Sequence, residues 1–262
     1  MSGTDFLHLG VSIAGVGPVH LPMPRVPFDP NGPAVPTTVS GPPPADPDEH
    51  ARFRWWLGHQ LTFCVWRLLA ESLTAVAAGE ARAVEAAELY EAYSVLLRYT
   101  GSCSPEVYGR VIRPLMARAD PAFSGRWASD HEDIPGLLRE VRRVRPAREV
   151  STLVAAARTS QVMHVAQAKR LVGSGASLLR QSSRHDQPVT DRDRAIFDAF
   201  FLLTRTPISR TGFTAQFDVL IALALVDLAD RPLVHDGEPT TRSQRESVAV
   251  LRSLSPLRKV SC

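Results

Sequence analysis

An all-α fold is what this sequence predicts, and three observations carry it. Apolar residues recur three and four positions apart through Trp56, Phe63, Val65, Trp66, Leu69 and Leu73, the period of a helix rather than of a strand. Helix start signals (Asp48-Glu49, Ser104-Pro105, Thr190-Asp191) stand in front of such runs. No alternating apolar–polar stretch follows residue 48.

The elements can be justified in order. Residues 1–48 are dense in Pro and Gly and end in Gly41-Pro-Pro-Pro-Ala-Asp-Pro47. Proline fixes φ and removes a donor, so no regular helix forms there. The segment is expected to be an irregular arm, with a short strand or hairpin arm over Leu7–Ala14 and the rest an extended strap that apolar residues such as Val19, Leu21 and Phe28 dock; the alternative is a disordered tail. Residues 49–262 are expected to form one helical domain. Its first helix runs from the Asp48 cap to about Gly79, its second from Ala81 to Tyr99, and its third from Ser104-Pro105 to Ala119. Residues 120–132 read as a loop, followed by helices over Ile134–Val144 and Val150–Val172. Gly173-Ser-Gly-Ala-Ser177 is a turn of small residues. Helices over Asp191–Thr204 and Phe213–Asp230 precede a polar tail.

Composition bounds the function. The 262 residues carry 30 basic against 27 acidic side chains, a net charge of +3. That excess is too small and too dispersed to point to nucleic acid. The short basic run Arg139–Arg148 reads as a solvated face. Three cysteines (Cys64, Cys103, Cys262) form no CxxC pair, which fits a reduced protein with no disulfide framework. No run of about 18 uninterrupted apolar residues exists and no secretory signal is seen, so no membrane span and a cytoplasmic location are expected.

Chemistry is concentrated at two histidines inside apolar helices. His59 lies in Trp55-Trp-Leu-Gly-His-Gln-Leu-Thr-Phe-Cys-Val-Trp66, and His164 lies in Gln161-Val-Met-His-Val-Ala-Gln-Ala-Lys-Arg-Leu-Val172. A buried imidazole needs a partner, since an unpaired polar group in an apolar site costs about 1–3 kcal/mol. Each is either a satisfied core histidine or a ligand, and the two together suit a metal or a flat metal cofactor. The other histidines, His131 and His50 among them, read as solvated loop or helix-end residues. HExxH, paired CxxC, the Glu-x-x-His pairs of a di-iron bundle, the Gly-x-Ser-x-Gly elbow and a Walker loop are all absent.

These two stretches, in this order, resemble the distal and proximal haem helices of the tryptophan 2,3-dioxygenases. Pro27-Phe-Asp-Pro-Asn-Gly-Pro33, Arg52-Phe-Arg-Trp-Trp56, Tyr99-Thr-Gly-Ser-Cys-Ser-Pro-Glu-Val-Tyr108 and Pro121-Ala-Phe-Ser-Gly125 are similar to the bacterial haem-dependent L-tyrosine 3-hydroxylases of the same superfamily. The sequence lacks the Ser-Gly-Phe-Gln-Ser stretch of the dioxygenases. The resemblance implies a helical bundle of the tryptophan 2,3-dioxygenase type and a haem b cofactor whose iron is held by His164. It implies that His59 is the distal acid–base catalyst and that Trp55 walls the substrate ring. The implied reaction is oxygen insertion ortho to the phenol of L-tyrosine, giving L-3,4-dihydroxyphenylalanine, with hydrogen peroxide or dioxygen plus a reductant as oxidant. The substrate carboxylate asks for a guanidinium fork; Arg113 is the first candidate and Arg54 the second. Tyr99, Ser102 and Tyr108 are candidates for hydroxyl contacts, and Ser174 and Ser177 for the closing loop. A homodimer is expected. The competing readings are an indole-opening dioxygenase, a non-catalytic haem-binding protein and a plain helical interaction module.

Overall fold

The computed structural model describes residues 13–33, 41–173, 175–235, 238–239 and 241–254. Its first long element, α1 (Pro47–Ala78), starts two residues earlier than the sequence suggests. Asp46 is the cap, its carboxylate accepting from the backbone N–H groups of Asp48 and Glu49, and Pro47 fills the first turn, where no donor is needed. Asp48 is left free to pair with Arg110. Phe53, Trp56, Leu57, Leu61, Phe63, Cys64, Val65, Leu69 and Leu73 on α1 are fully buried. They cover most of the helix circumference, which makes α1 a central helix and not a surface one.

α2 (Ala83–Thr100) returns antiparallel along α1. Gly58 sets how closely they approach: a Cβ there would lie 2.1 Å from the Thr100 hydroxyl oxygen. α7 (Ala147–Val172) packs on the other side of α2. Gly101 makes room for Gln167, and Arg170 reaches across to the carbonyls of Gly101 and Cys103. These contacts fix α7 in one register against the end of α2.

The third predicted helix is three pieces. α3 (Pro105–Val107), capped by Ser104 as expected, runs into a π-turn over Tyr108–Ile112 and then into α4 (Arg113–Ala119). Pro114 explains the break: it has no N–H for the carbonyl four residues back, and its ring crowds that carbonyl. The chain instead closes the wider bond from Arg113 N–H to the Tyr108 carbonyl.

The segment expected as loop contains a 3₁₀ turn at Gly125–Trp127 and α5 (Ser129–Glu132). α6 (Ile134–Val144) falls where the sequence puts it, and Arg139, Arg142 and Arg143 face solvent. After α8 (Leu178–Gln181) comes α9 (Asp191–Phe200), which opens with a capping box between Thr190 and Asp193. α9 ends four residues before the expected Thr204. Leu202 turns into the left-handed region (φ 57°), and Leu203–Arg205 forms a strand, β2.

β2 pairs in parallel with β1 (Val19–Leu21), Val19 opposite Leu203. Gln216 brackets the β1 backbone at His20, and Gln60 donates to the carbonyls of Gly17 and Phe201. The described part of the arm is therefore docked, as expected of a strap; most of the strand expected over Leu7–Ala14 lies outside the described residues. α10 (Arg210–Asp230) packs on α1. A two-residue hairpin pair, β3 (Val234–His235) with β4 (Glu238–Pro239), and α11 (Thr241–Ser253) stand where a polar tail was expected. The all-α class holds, with two minor strand pairs added.

α1 and α10 are both long and apolar enough, by length and composition, to cross a membrane. The absence of an uninterrupted apolar run thus did not exclude such helices. In the fold much of their apolar surface is spent on the core, fully so at Phe213, Phe217, Ala224 and Leu228 of α10.

Candidate active site

The α1 face carrying Trp55, His59 and Trp66 is the chemically loaded one. Positions 55 and 59 are one turn apart and share a face. Their rings lie 4.7 Å apart, and His59 Nδ1 is 2.7 Å from the Trp55 carbonyl oxygen. A carbonyl only accepts, so Nδ1 carries the proton and Nε2 keeps its lone pair. Phe201 stacks on the imidazole at 4.1 Å and 19°. Burial lowers the His59 pKa to about 4, with the nearby His164 adding to the effect. At neutral pH His59 is an uncharged proton acceptor, well below the ordinary value near 6.5 that the sequence suggested.

His164 stands on α7 at the rim of this region. Its Nδ1 is 3.0 Å from the Tyr93 hydroxyl of α2. His164 itself is exposed on the α7 surface, where the sequence led to a buried histidine. The partial desolvation its ring still feels lowers its pKa, and burial raises that of the Tyr93 phenol. The α7 surface around it is open: Val162 and Val165 are 61% and 56% exposed.

His131 is a third imidazole that the sequence reading missed. Predicted to be solvated, it lies on α5 with its ring 4.9 Å from Trp66 and 6.4 Å from Tyr93. Burial and His164 bring its pKa to about 4. Arg205 holds this element in place by bonding the buried carboxylate of the preceding residue, Asp130, as well as Ser129 and Asp198. The available signal was Ser129-Asp-His-Glu132, a polar stretch beside Trp127, and it does not distinguish a site from a surface turn.

Tyr108 and Arg113 extend the site across the π-turn. The Tyr108 ring is 5.6 Å from Trp55. Arg113 stands beside the Tyr108 hydroxyl and partly offsets the upward push of burial on its pKa. Arg113 donates through Nη2 to the Ala176 carbonyl and to Gln181. Tyr108 and Arg113 line a cleft of about 440 Å³ with Leu171, Val172, Gly173 and Gly175. Two roomier clefts, about 730 and 640 Å³, mix apolar and charged side chains and hold no histidine.

Four sequence candidates are not part of this arrangement. Arg54 is buried and spends its donors on Asp227, Ser102 and the carbonyls of Arg231 and Pro232. Ser102 is held by Arg54 and by the Val234 N–H. Tyr99 is fully buried, 5.5 Å beneath the Arg54 guanidinium, and its hydroxyl finds no well-formed hydrogen bond although Asp227 is close. His50, expected to be solvated, completes this network by pairing with Asp227. Ser177 is exposed, and its Oγ caps α8. Ser174 lies outside the described residues.

The donor set fits a macrocyclic cofactor better than a bare ion. Among the described residues no three His, Cys, Asp or Glu side chains gather into a metal cage. A metal already held by four ring nitrogens asks the protein for an axial imidazole and an aromatic pocket. Among the described residues the buried Nε1–H groups of Trp55 and Trp66 find no acceptor, and Ser160 Oγ, one turn before His164, finds no partner. Native structures leave few such atoms unpaired, and a polar ligand is one way to satisfy them.

Comparison with known proteins adds one finding. Residues 9–152 match the model of a family described as SfmD 3-methyl-L-tyrosine peroxygenase. The match covers the arm from residue 9 on, α1 to α6 and the start of α7, and takes in His59, Tyr93, Tyr108, Arg113 and His131, while His164 follows it. A search of curated proteins finds no match. With more than half of the chain matched and aromatic and imidazole side chains converging inside the matched part, the protein belongs to the SfmD 3-methyl-L-tyrosine peroxygenase family and is an oxidoreductase of the peroxygenase class.

Proposed function

We propose that this chain is a haem-dependent peroxygenase that hydroxylates the phenol ring of a tyrosine-type amino acid. The observation that carries the reading is the neutral His59, with Nε2 free, set among Trp55, Phe201 and Phe63 and within electrostatic reach of a second imidazole, His164. The family description supports peroxide as the oxidant and a tyrosine-like substrate. The bonds balance without a further reductant: one ring C–H becomes C–OH, and hydrogen peroxide is reduced to water.

His164 Nε2 is the proposed iron ligand, and the bound haem supplies the redox chemistry that no side chain can. His59 Nε2 accepts a proton from the substrate phenol or from peroxide. The Trp55 and Phe201 rings exclude water and hold the substrate ring. Arg113 receives the carboxylate at the cleft it shares with Tyr108, through donors other than Nη2. L-Tyrosine, giving L-3,4-dihydroxyphenylalanine, and 3-methyl-L-tyrosine are the two substrates to compare. The homodimer expected from the sequence has a natural contact in the open apolar surface of α7 at Val162 and Val165.

The test is optical and chemical. Purified protein supplied with haem should show a Soret band, and His164→Ala should lose most of it; an unchanged spectrum would remove His164 as ligand and turn attention to His131. Peroxide with either amino acid should yield a product heavier by one oxygen. Two added oxygens on tryptophan would support the indole-opening alternative instead. His59→Ala should keep the haem and lose about 10²–10⁴-fold in kcat, and an unimpaired rate would exclude His59 from the chemistry.

A further inference from the structure

We propose that Tyr93 is a positioning residue for His164, occupying the Nδ1 edge of that imidazole so that Nε2 alone faces the cofactor. The proposal deepens the reading of His164 as the iron ligand and rests on it. An imidazole that binds metal through Nε2 carries its proton on Nδ1, and an acceptor for that N–H fixes the tautomer and the ring orientation. The Tyr93 oxygen is 3.0 Å from Nδ1 and supplies the lone pair. The rings stand at 87° with centroids 6.4 Å apart, so contact is made through the hydroxyl and not by stacking.

The surroundings hold this contact from both sides. Tyr93 is 4% exposed, and Trp66 packs against it edge-on at 5.4 Å. On the other helix, Arg170 ties α7 to the carbonyls of Gly101 and Cys103, and Gln167 sits over Gly101. A slip of one residue along α7 would swing His164 by about 100° around the helix, away from Tyr93. The register contacts and the hydroxyl therefore act together: the first aims the ring, and the second chooses its ligating nitrogen.

Tyr93→Phe removes one oxygen and keeps the ring that Trp66 packs on. In the full chain reconstituted with haem, the expected result is haem affinity about 10–100-fold weaker. The iron–histidine stretching band of the ferrous protein should move to lower frequency, and the reduction potential should shift in the positive direction. A second measurement leaves Tyr93 in place. In His164→Gly, added imidazole should restore the iron–nitrogen band, and 1-methylimidazole, which has no N–H to donate, should bind about tenfold more weakly. If Tyr93→Phe leaves affinity and band unmoved, or the two imidazoles bind alike, Tyr93 does not position His164, while His164 stays the ligand. If wild type shows no iron–histidine band, or His164→Ala retains it, the ligand reading fails and this inference falls with it.

Discussion

Arg54 and Trp55 are neighbours on α1, yet they belong to two regions built on opposite principles. The Arg54 side is a closed network: the guanidinium meets Asp227, Ser102 and two carbonyls, and His50 takes the second oxygen of Asp227. The Trp55 side is open: the indole N–H has no acceptor, His59 keeps a free nitrogen, and Arg113 beyond Tyr108 uses one nitrogen only in its hydrogen bonds to Ala176 and Gln181. Burial differs between them in degree, near complete at Arg54 and Asp227 and partial at Trp55, His59 and Arg113. Spent or unspent hydrogen-bonding capacity differs in kind.

The largest expected break of this contrast is on the closed side. Asp227→Ala leaves Arg54 charged and without a carboxylate in the core, which should cost about 3–5 kcal/mol of stability. Urea unfolding measures it, and a loss below about 1 kcal/mol would mean the network is dispensable. On the open side, Arg113→Ala should spare the urea midpoint and raise KM for the amino acid by about 10–100-fold, the loss of a charge-assisted bond of about 1.5–3 kcal/mol. A matched KM effect from Arg54→Ala in folded protein would reverse the assignment of the two arginines.

A third test is set by pH. His59 and His131 titrate near 4 in the folded chain and near 6.5 when unfolded. Between those values the unfolded chain binds more protons, so stability falls as pH drops from about 6.5 to about 4 and is full above 6.5. Tm should decline over that window by about 2–4 °C for each kcal/mol lost. His131→Asn should shrink the decline; an unchanged slope would place His131 in water.

Much of the fold was legible because helix ends are local chemistry. Ser104-Pro105, Thr190 with Asp193, and the apolar period of α1 are all read within a few residues. The π-turn was less visible: Pro114 marks an interruption, but whether the chain kinks, stops or widens depends on what Tyr108 and Val111 pack against. β1 and β2 are three-residue strands far apart in sequence, and three residues carry no usable period. His59 and His164 could be singled out because each breaks an apolar run. The two arginines could be ranked, Arg113 before Arg54, but their surroundings could not be read. Both are helical, and what decides between them is Asp227, which lies 173 residues from Arg54.

The β1–β2 pair also has a consequence for synthesis. Val19 and Leu21 are fully covered in the finished protein, and their partner strand starts at residue 203. At roughly 5–20 residues per second on a ribosome, about 10–40 s separate the appearance of the arm from that of the strand it joins. During that interval an apolar segment with unpaired N–H and C=O groups waits in solvent beside a growing chain. The arm therefore docks only once β2 exists, long after its own synthesis, and α1, with Gln60 ready to take up the Gly17 carbonyl, is the surface on which it can be held meanwhile.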